Sequence, residues 1–223
     1  MSAATPEDEA ARLRAAALAG SAEAQARYGQ ALLDGHGVPA DAAEGLRWFR
    51  MAAKSGHLMA INMIGRCHEK GWGTPPDRDA AARCYKAGAE GGLDWGMYNY
   101  AGALGLGSGV DRDEAAATGW FQKAAAMGHA KSITVVGTLH EEGRLTPRDM
   151  AKAADCYARG AEGGDFRGQF HHARLLAEGG RVDEALAWIA RAAEAATPEF
   201  RARMKAYLAA SGVAALEQAG ARL

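Results

Sequence analysis

Glycine recurs at a constant spacing of 36 residues along this chain of 223 residues, and this repetition restricts the possible folds more than any other feature. A second glycine column, an aspartate column and an aromatic column keep the same period. Four columns that repeat in step indicate one structural unit copied along the chain. The members are Gly20, Gly56, Gly92, Gly128 and Gly164; Gly35, Gly71, Gly107, Gly143 and Gly179; Asp41, Asp77, Asp113 and Asp149; and Phe49, Tyr85, Phe121 and Tyr157.

Each unit is predicted to form a helical hairpin. In the second unit the pattern gives a first helix over residues 58–69, a turn over 70–76 and a second helix over 77–90. Glycine suits the left-handed end of the first helix, and Asp77 suits the start of the second, where its carboxylate can accept from free backbone N–H groups. Alternating strand patterns are almost absent, so we predict an all-α fold, a right-handed α/α superhelical solenoid of helix-turn-helix repeats.

The repeats divide the chain into three parts. We predict an N-terminal capping helix in residues 1–19, five repeats in residues 20–196 and C-terminal capping helices in residues 197–223. The fifth repeat has a turn that is four residues shorter, as expected of a terminal unit whose outer face meets water. The predicted repeats span residues 20–55, 56–91, 92–127, 128–163 and 164–196.

Three Gly-x-Gly turns, at residues 35–37, 71–73 and 107–109, could be mistaken for phosphate-binding loops. A dinucleotide-binding fingerprint follows a strand and opens a helix, whereas each of these turns follows a predicted helix. We therefore interpret them as hairpin turns and predict no cofactor.

The repeated pattern resembles the Sel1-like repeat, a relative of the tetratricopeptide repeat with a slightly longer period. Residues 24–56 contain the pattern nearly in full, including Gly-His-Gly-Val, Asp41 and Trp-Phe followed by paired alanines. The resemblance covers roughly residues 20–196. It implies a scaffold or adaptor for protein complexes, such as those in bacterial signalling and host interaction.

One secreted branch of that family carries paired cysteines in every repeat, and some of its members are associated with β-lactam binding or weak hydrolysis. Membership of that branch would imply a β-lactamase-like or cell-wall-fragment-binding enzyme, which is the alternative function. This sequence departs from it, because Cys84 and Cys156 occupy the column of Trp48 and Trp120, which predicts apolar packing. The positions of the paired cysteines hold Ala53, Ile61, Ala89 and Met97.

The first helices have two distinct faces. One carries small residues, as in the columns of Ala60 and Gly65, which lets neighbouring helices approach closely. The opposite stripe varies freely and is expected on the concave side, and aromatic and Arg side chains are enriched in interface anchors. We predict that a partner binds this stripe through Met59, Asn62, Arg66, Trp95, Tyr98, Asn99, Lys131, Arg167, Phe170, His171 and Arg174.

Two alternatives to this stripe remain open. Tyr98 and Phe170 would instead fill gaps between adjacent hairpins, and a partner could engage an edge or the ridge of turns that bears Trp72 and Arg144. On the second helix, one face is predicted to be core. Its members are Trp48, Phe49, Ala52 and Ala53.

The histidines and cysteines predict no catalytic residues and no metal site. His68 and His140 share a column with leucines, and His57 and His129 follow the glycine that closes a repeat. Adjacent helical residues such as Cys67 and His68 point about 100° apart, so they do not form a nucleophile and base pair.

Composition limits the partners. The chain has 26 Lys and Arg against 27 Asp and Glu, so we expect no nucleic acid partner, and no apolar run approaches the roughly 20 residues of a membrane span. The odd cysteine count and the absence of a signal-peptide pattern predict a cytoplasmic protein. The first hypothesis is a non-enzymatic adaptor that binds another protein or peptide. A small-ligand or peptidoglycan-associated module in the periplasm is a second rival, and the oligomeric state is left open.

Overall fold

A computed structural model describes residues 5–144 and 147–223 of the chain, and in these residues it contains thirteen α-helices and no β-strand. The all-α hairpin architecture predicted from the sequence is confirmed. Ten of the helices, α1 to α10, have the same length of 13 residues. The helices are α1 (Pro6–Leu18), α2 (Ala22–Asp34), α3 (Ala42–Lys54), α4 (Leu58–Lys70), α5 (Arg78–Glu90), α6 (Asp94–Leu106), α7 (Glu114–Ala126), α8 (Ala130–Glu142), α9 (Met150–Glu162), α10 (Phe166–Glu178), α11 (Val182–Ala195), α12 (Pro198–Ala209) and α13 (Ala214–Ala221).

The aspartate column caps the second helices. The side chain of Asp41 accepts from the backbone N–H of Glu44 at 2.9 Å, and Asp77, Asp113 and Asp149 accept in the same way at 2.9 to 3.0 Å. These bonds satisfy donors that the first turn of a helix leaves without a partner, which confirms the capping prediction.

The first helices begin with a different set of caps. Ser21 and Asp165 accept from the backbone three residues later, and His57 and His129 do the same through Nδ1. Leu93 makes no such bond. The two histidines that follow a repeat-closing glycine therefore serve as helix caps, a role that their position in the column did not reveal.

The turn glycines adopt the predicted left-handed backbone in four repeats. Gly35, Gly71, Gly107 and Gly143 have φ between +66° and +74° at the ends of the first helices. Gly179 does not follow its column: its φ is −82°, and the next residue, Gly180, takes the positive φ instead. The shortened turn explains the difference, because the chain reaches α11 after only three residues.

The helices pack as neighbouring pairs within two compact units, Met1–Trp120 and Phe121–Leu223. In the first unit the Trp48 ring meets the Tyr28 ring edge to face at 5.4 Å, and Phe49 and Ala52 are fully buried. Three of the four predicted core positions are thus buried, whereas Ala53 is only half-buried. Its side chain lies at the margin of the packed face.

A core cluster of the second unit lies around α10, α11 and α12. Its large buried side chains include Phe170, Ile189, Phe200, Met204 and Leu208. In the described part of the chain, no helix has both the length and the apolar character that a membrane span requires.

Candidate protein-interaction surface

The first unit contains one part of the predicted stripe, on α4 and α6. We call it the α4–α6 stripe, and its members are Met59, Asn62, Arg66, Trp95, Tyr98 and Asn99. Two side chains dominate its exposed surface: Met59 is 36% exposed and Trp95 is 37% exposed. The Trp95 and Tyr98 rings meet edge to face with centroids 6.3 Å apart, so the indole rests against a second aromatic side chain.

An amide pair lies within the α4–α6 stripe. Asn99 on α6 donates from Nδ2 to Oδ1 of Asn62 on α4, at 2.8 Å. Asn62 is only 2% exposed, so its side chain is buried in this structure rather than presented to a partner. It fixes the half-buried Asn99 at the surface instead.

Arg66 is tied to the turn that follows α4. Its guanidinium lies over the Trp72 ring, 5.1 Å from the centroid, and that ring packs against the apolar cluster around Phe49 and Met63. Trp72 is therefore half-buried rather than exposed in its turn. This burial weakens the alternative in which Trp72 anchors a partner on the ridge of turns.

The second unit contains the other part, on α8 and α10. We call it the α8–α10 stripe, and its members are Lys131, Arg167, Phe170, His171 and Arg174. Phe170 is 8% exposed and packs edge to face against Phe200 at 5.7 Å and Tyr207 at 5.5 Å. In this structure α12 covers Phe170 as part of the core, as the alternative of a side chain that fills a gap between helices expects.

Arg174 belongs to a half-buried ionic network. Its Nη2 lies 2.6 and 2.7 Å from the two oxygens of Glu141, and its Nη1 lies 3.0 Å from Glu178. Tyr157 also donates to Glu141 at 2.6 Å. Burial raises the pKa of Glu141, but the Tyr157 hydrogen bond and the Arg174 charge outweigh it and leave that pKa below 4.5. Two carboxylates thus already neutralise this guanidinium.

His171 is held as a neutral ring beside that network. It stacks on Tyr157 with centroids 4.7 Å apart. Burial and then the Arg174 charge lower its pKa from 6.5 to about 4. At neutral pH this side chain therefore offers no positive charge to a partner.

Arg167 is exposed and lies on aromatic rings. Its guanidinium is 4.7 Å from the centroid of Phe166 and 6.0 Å from that of Phe200. A residue that the sequence did not single out, Arg203 on α12, lies over the same Phe200 ring at 5.4 Å. The sequence contains a signal for Arg203. α12 begins with a side-chain cap as α10 does, and Arg203 occupies the position that corresponds to His171. The spacing between them is 32 residues instead of 36, because the fifth turn is short.

The opposite face of the first helices packs as predicted. Ala60 and Ser132 are fully buried, and a Cβ added to Gly65 or Gly137 would lie 2.7 or 2.9 Å from a tyrosine ring carbon. Only small residues fit there, so this face is structural.

The described histidines, cysteines and carboxylates form no cluster of three that could hold a metal ion. Cys67, Cys84 and Cys156 are free thiols, and burial raises the pKa of each, that of Cys67 to about 11. Reactive cysteines have lowered pKa values, so these thiols are suited to packing.

Comparison with known proteins identifies the repeat. The Sel1 repeat family model matches residues 22–57, 58–93, 96–129 and 130–165. No curated protein sequence matched the chain. A Sel1 repeat protein from Oxalobacter formigenes superposes with a TM-score of 0.76 at 23% identity, over 97% of this chain and 96% of that one.

Two further solved structures share the fold. A protective antigen of uropathogenic Escherichia coli with an SLR fold gives a TM-score of 0.68 at 25% identity, covering 97% of this chain and 48% of that one. An immunity protein from Pseudomonas aeruginosa gives 0.60 at 16% identity, covering 90% and 74%. The four matched repeats span more than half of the residues, and the chain belongs to the Sel1 repeat family.

Proposed function

We propose that this protein is a non-enzymatic scaffold that binds a partner protein or peptide on the face of its first helices. The Sel1 repeat fold is commonly a protein-interaction scaffold and is generally non-catalytic. The observation that carries the proposal for this chain is the exposure of Trp95 on the α4–α6 stripe. Of the five tryptophans, Trp95 alone is exposed, and the other four are buried or half-buried.

An indole exposed on a helix face lowers the stability of the folded protein unless a binding partner covers it. About 25 cal/mol is lost for each Å² of apolar surface left in water, and tryptophan is among the residues most enriched in interface hot spots. Met59 occupies the same column one repeat earlier and is exposed to a similar degree. Two large apolar side chains on adjacent first helices form the anchor positions of the proposed site.

The amide pair supplies polar contacts between these anchors. Asn99 is half-buried and already oriented by Asn62, so its remaining hydrogen-bonding groups lose little rotamer freedom when they meet a peptide backbone. Apolar anchors with a few fixed polar groups are the usual composition of a peptide-binding surface.

The test is affinity capture from a lysate of the source organism, followed by quantitative mass spectrometry, with wild type, Trp95→Ala and Met51→Ala as baits. Met51 is a matched control, because it is 36% exposed in the same unit but lies on the second helix α3. We expect a partner that wild type and Met51→Ala recover equally and that Trp95→Ala recovers at least about tenfold less. Equal recovery by all three baits would refute the proposed face, and recovery of no partner would refute the scaffold function.

A further inference from the structure

The surface between α10 and α12 carries two arginines in an unusual setting. Arg167 belongs to α10 and Arg203 to α12. Both guanidiniums lie within 6.0 Å of the ring centroid of the buried Phe200. A guanidinium that stacks on a ring keeps its N–H edge directed outward, in the geometry that binds a carboxylate with two hydrogen bonds.

Within residues 5–144 and 147–223, these two charges have no ion-pair partner. Arg174 has Glu141 and Glu178 as ion-pair partners, whereas in the part of the chain that the structure describes neither Arg167 nor Arg203 has a carboxylate within 4.0 Å. Both side chains are exposed. They differ in this way from Arg201 on the same helix, which donates to the Ala193 carbonyl at 2.7 Å and serves the fold.

The acidic residues nearest in sequence form no ion pair with them. Asp165, two residues before Arg167, is 3% exposed and accepts from the backbone N–H of Gly168 at the start of α10. Glu199 stands at the start of α12, and its carboxylate is hydrogen-bonded to its own backbone N–H and to the Thr197 side chain, which lowers its pKa. It is engaged at the helix terminus. Lys205 is the second exposed cation on α12, and Lys131 on α8 holds the same column as Arg167.

We propose that Arg167 and Arg203 form a carboxylate-recognition site for an acidic segment of a partner peptide, with the Phe166 and Phe200 rings as its base. The site rests on the proposed scaffold function and adds the chemical class of the partner. The positive charges complement Asp and Glu side chains, and the rings beneath the guanidiniums hold them in place. The chain's net charge of −1 gives no broad cationic field, so a local peptide site fits better than a polyanion such as nucleic acid.

The test selects binders from a displayed library of random twelve-residue peptides, using the full-length protein as bait. The variants are Arg167→Gln/Arg203→Gln and the control Arg191→Gln. Arg191 is a matched control, because its guanidinium also lies on a ring, 4.7 Å from the Trp188 centroid, but it belongs to the second helix α11. The best peptide is then synthesised together with a copy in which Asn and Gln replace Asp and Glu, and both are measured by fluorescence anisotropy.

We expect the selected peptides to be enriched in Asp and Glu. The double variant should bind the best peptide at least about tenfold more weakly, a difference of about 1.4 kcal/mol, and the control should bind it as wild type does. The neutral copy should show a similar loss. Peptides without acidic enrichment, equal binding by the double variant, or a selection that yields no binder would each overturn the proposal. Selection of nucleic acid in a parallel library, lost in the same variant, would do so as well.

Failure of this site and failure of the scaffold function give different results. If the lysate partner depends on Trp95 but the selected peptides ignore charge, the carboxylate site is wrong and the scaffold function stands. If acidic peptides depend on Arg167 and Arg203 but Trp95→Ala recovers the lysate partner as wild type does, the carboxylate site stands and the α4–α6 stripe is wrong as the partner-binding face.

Discussion

Tyr85 donates a 2.6 Å hydrogen bond to the carboxylate of Glu69, sixteen residues earlier in the same hairpin. Two repeats later, Tyr157 donates to Glu141 at the same distance and with the same separation. In the first repeat the equivalent residues are Phe49 and Leu33, which belong to one apolar cluster. The fold therefore accepts either a polar or an apolar pair at this place between the two helices of a hairpin.

The two versions should be exchangeable only as pairs. Glu69→Leu alone leaves the buried Tyr85 hydroxyl without an acceptor and should destabilise the protein by about 1–3 kcal/mol. Tyr85→Phe should cost about 1 kcal/mol, because the half-exposed Glu69 keeps access to water and to Lys70. The double variant copies the first repeat and should cost less than the sum of the two, as measured by urea unfolding. An additive double variant would show that the pair is not coupled.

The second glycine of each Gly-x-Gly turn is predicted to be irreplaceable for two reasons. Gly73 has a φ of +68°, and an added Cβ would lie 2.3 Å from the carbonyl oxygen of Ala42. Gly73→Ala should therefore destabilise by about 3–5 kcal/mol in thermal or chemical unfolding. Gly56 is the control: its φ is +77° but nothing lies within 4 Å of an added Cβ, so Gly56→Ala should cost about 1–2 kcal/mol. Equal costs would mean that the contact with Ala42 does not matter.

Acid should weaken the second unit through His171. Its pKa is lowered from 6.5 to about 4 in the folded protein, so the unfolded chain binds the proton more readily, and stability that is present above pH 6.5 is lost as the pH falls toward 4. The loss should be roughly 1–3 kcal/mol between pH 7 and pH 4.5 in unfolding titrations. His171→Phe keeps a ring beside Tyr157 and should flatten that slope, whereas His36→Gln, in an exposed turn, should leave it unchanged. If His171→Phe lost stability with falling pH as wild type does, His171 would not be the group responsible.

Substitution of Trp48 should affect folding, whereas substitution of Trp95 should affect partner binding. Trp48 is 7% exposed and packs on Tyr28, so Trp48→Ala should destabilise by about 3–5 kcal/mol. Trp95 is 37% exposed, so its truncation should cost no more than about 1 kcal/mol in thermal unfolding monitored by circular dichroism. If Trp95→Ala destabilised as much as Trp48→Ala, the exposed indole would be a folding residue, and the reason to assign it to a partner would disappear.

The fold can be predicted well from the sequence because each repeat places the same residue types at the same turns and helix ends. Glycine favours the left-handed turn and aspartate favours the helix cap, so the spacing of these residues gives the helix bounds to within about two residues. Alternate repeats also share residues that the repeats between them lack. The second repeat contains His57, Glu69, Cys84 and Tyr85, and the fourth repeat contains the same residue types as His129, Glu141, Cys156 and Tyr157. This alternation is the signal in the sequence that points to the Tyr–Glu pairs.

The candidate surface is less predictable, because periodicity gives the face of a residue but not the depth at which its neighbours bury it. Asn62 and Phe170 lie on the predicted stripe, yet Asn99 on α6 and the aromatic residues of α12 enclose them. The shortened fifth turn moves Arg203 out of the 36-residue register, so a comparison of columns at that period does not include it. Met59, Trp95 and Arg167 remain exposed on the stripe, and their role in binding stays a prediction.

Hydroxyl-radical footprinting of the protein with and without the captured partner tests whether the partner covers the first helices. Methionine and tryptophan side chains are oxidised in proportion to their exposure to solvent. Met59 and Trp95 lie on the first-helix face, and Met51, with the same exposed fraction as Met59, lies on α3. We predict that the partner lowers the oxidation of Met59 and Trp95 at least about threefold and leaves Met51 unchanged. Protection of Met51 with Met59 and Trp95 still fully oxidised would instead place the partner on the second helices and refute binding at the first-helix face.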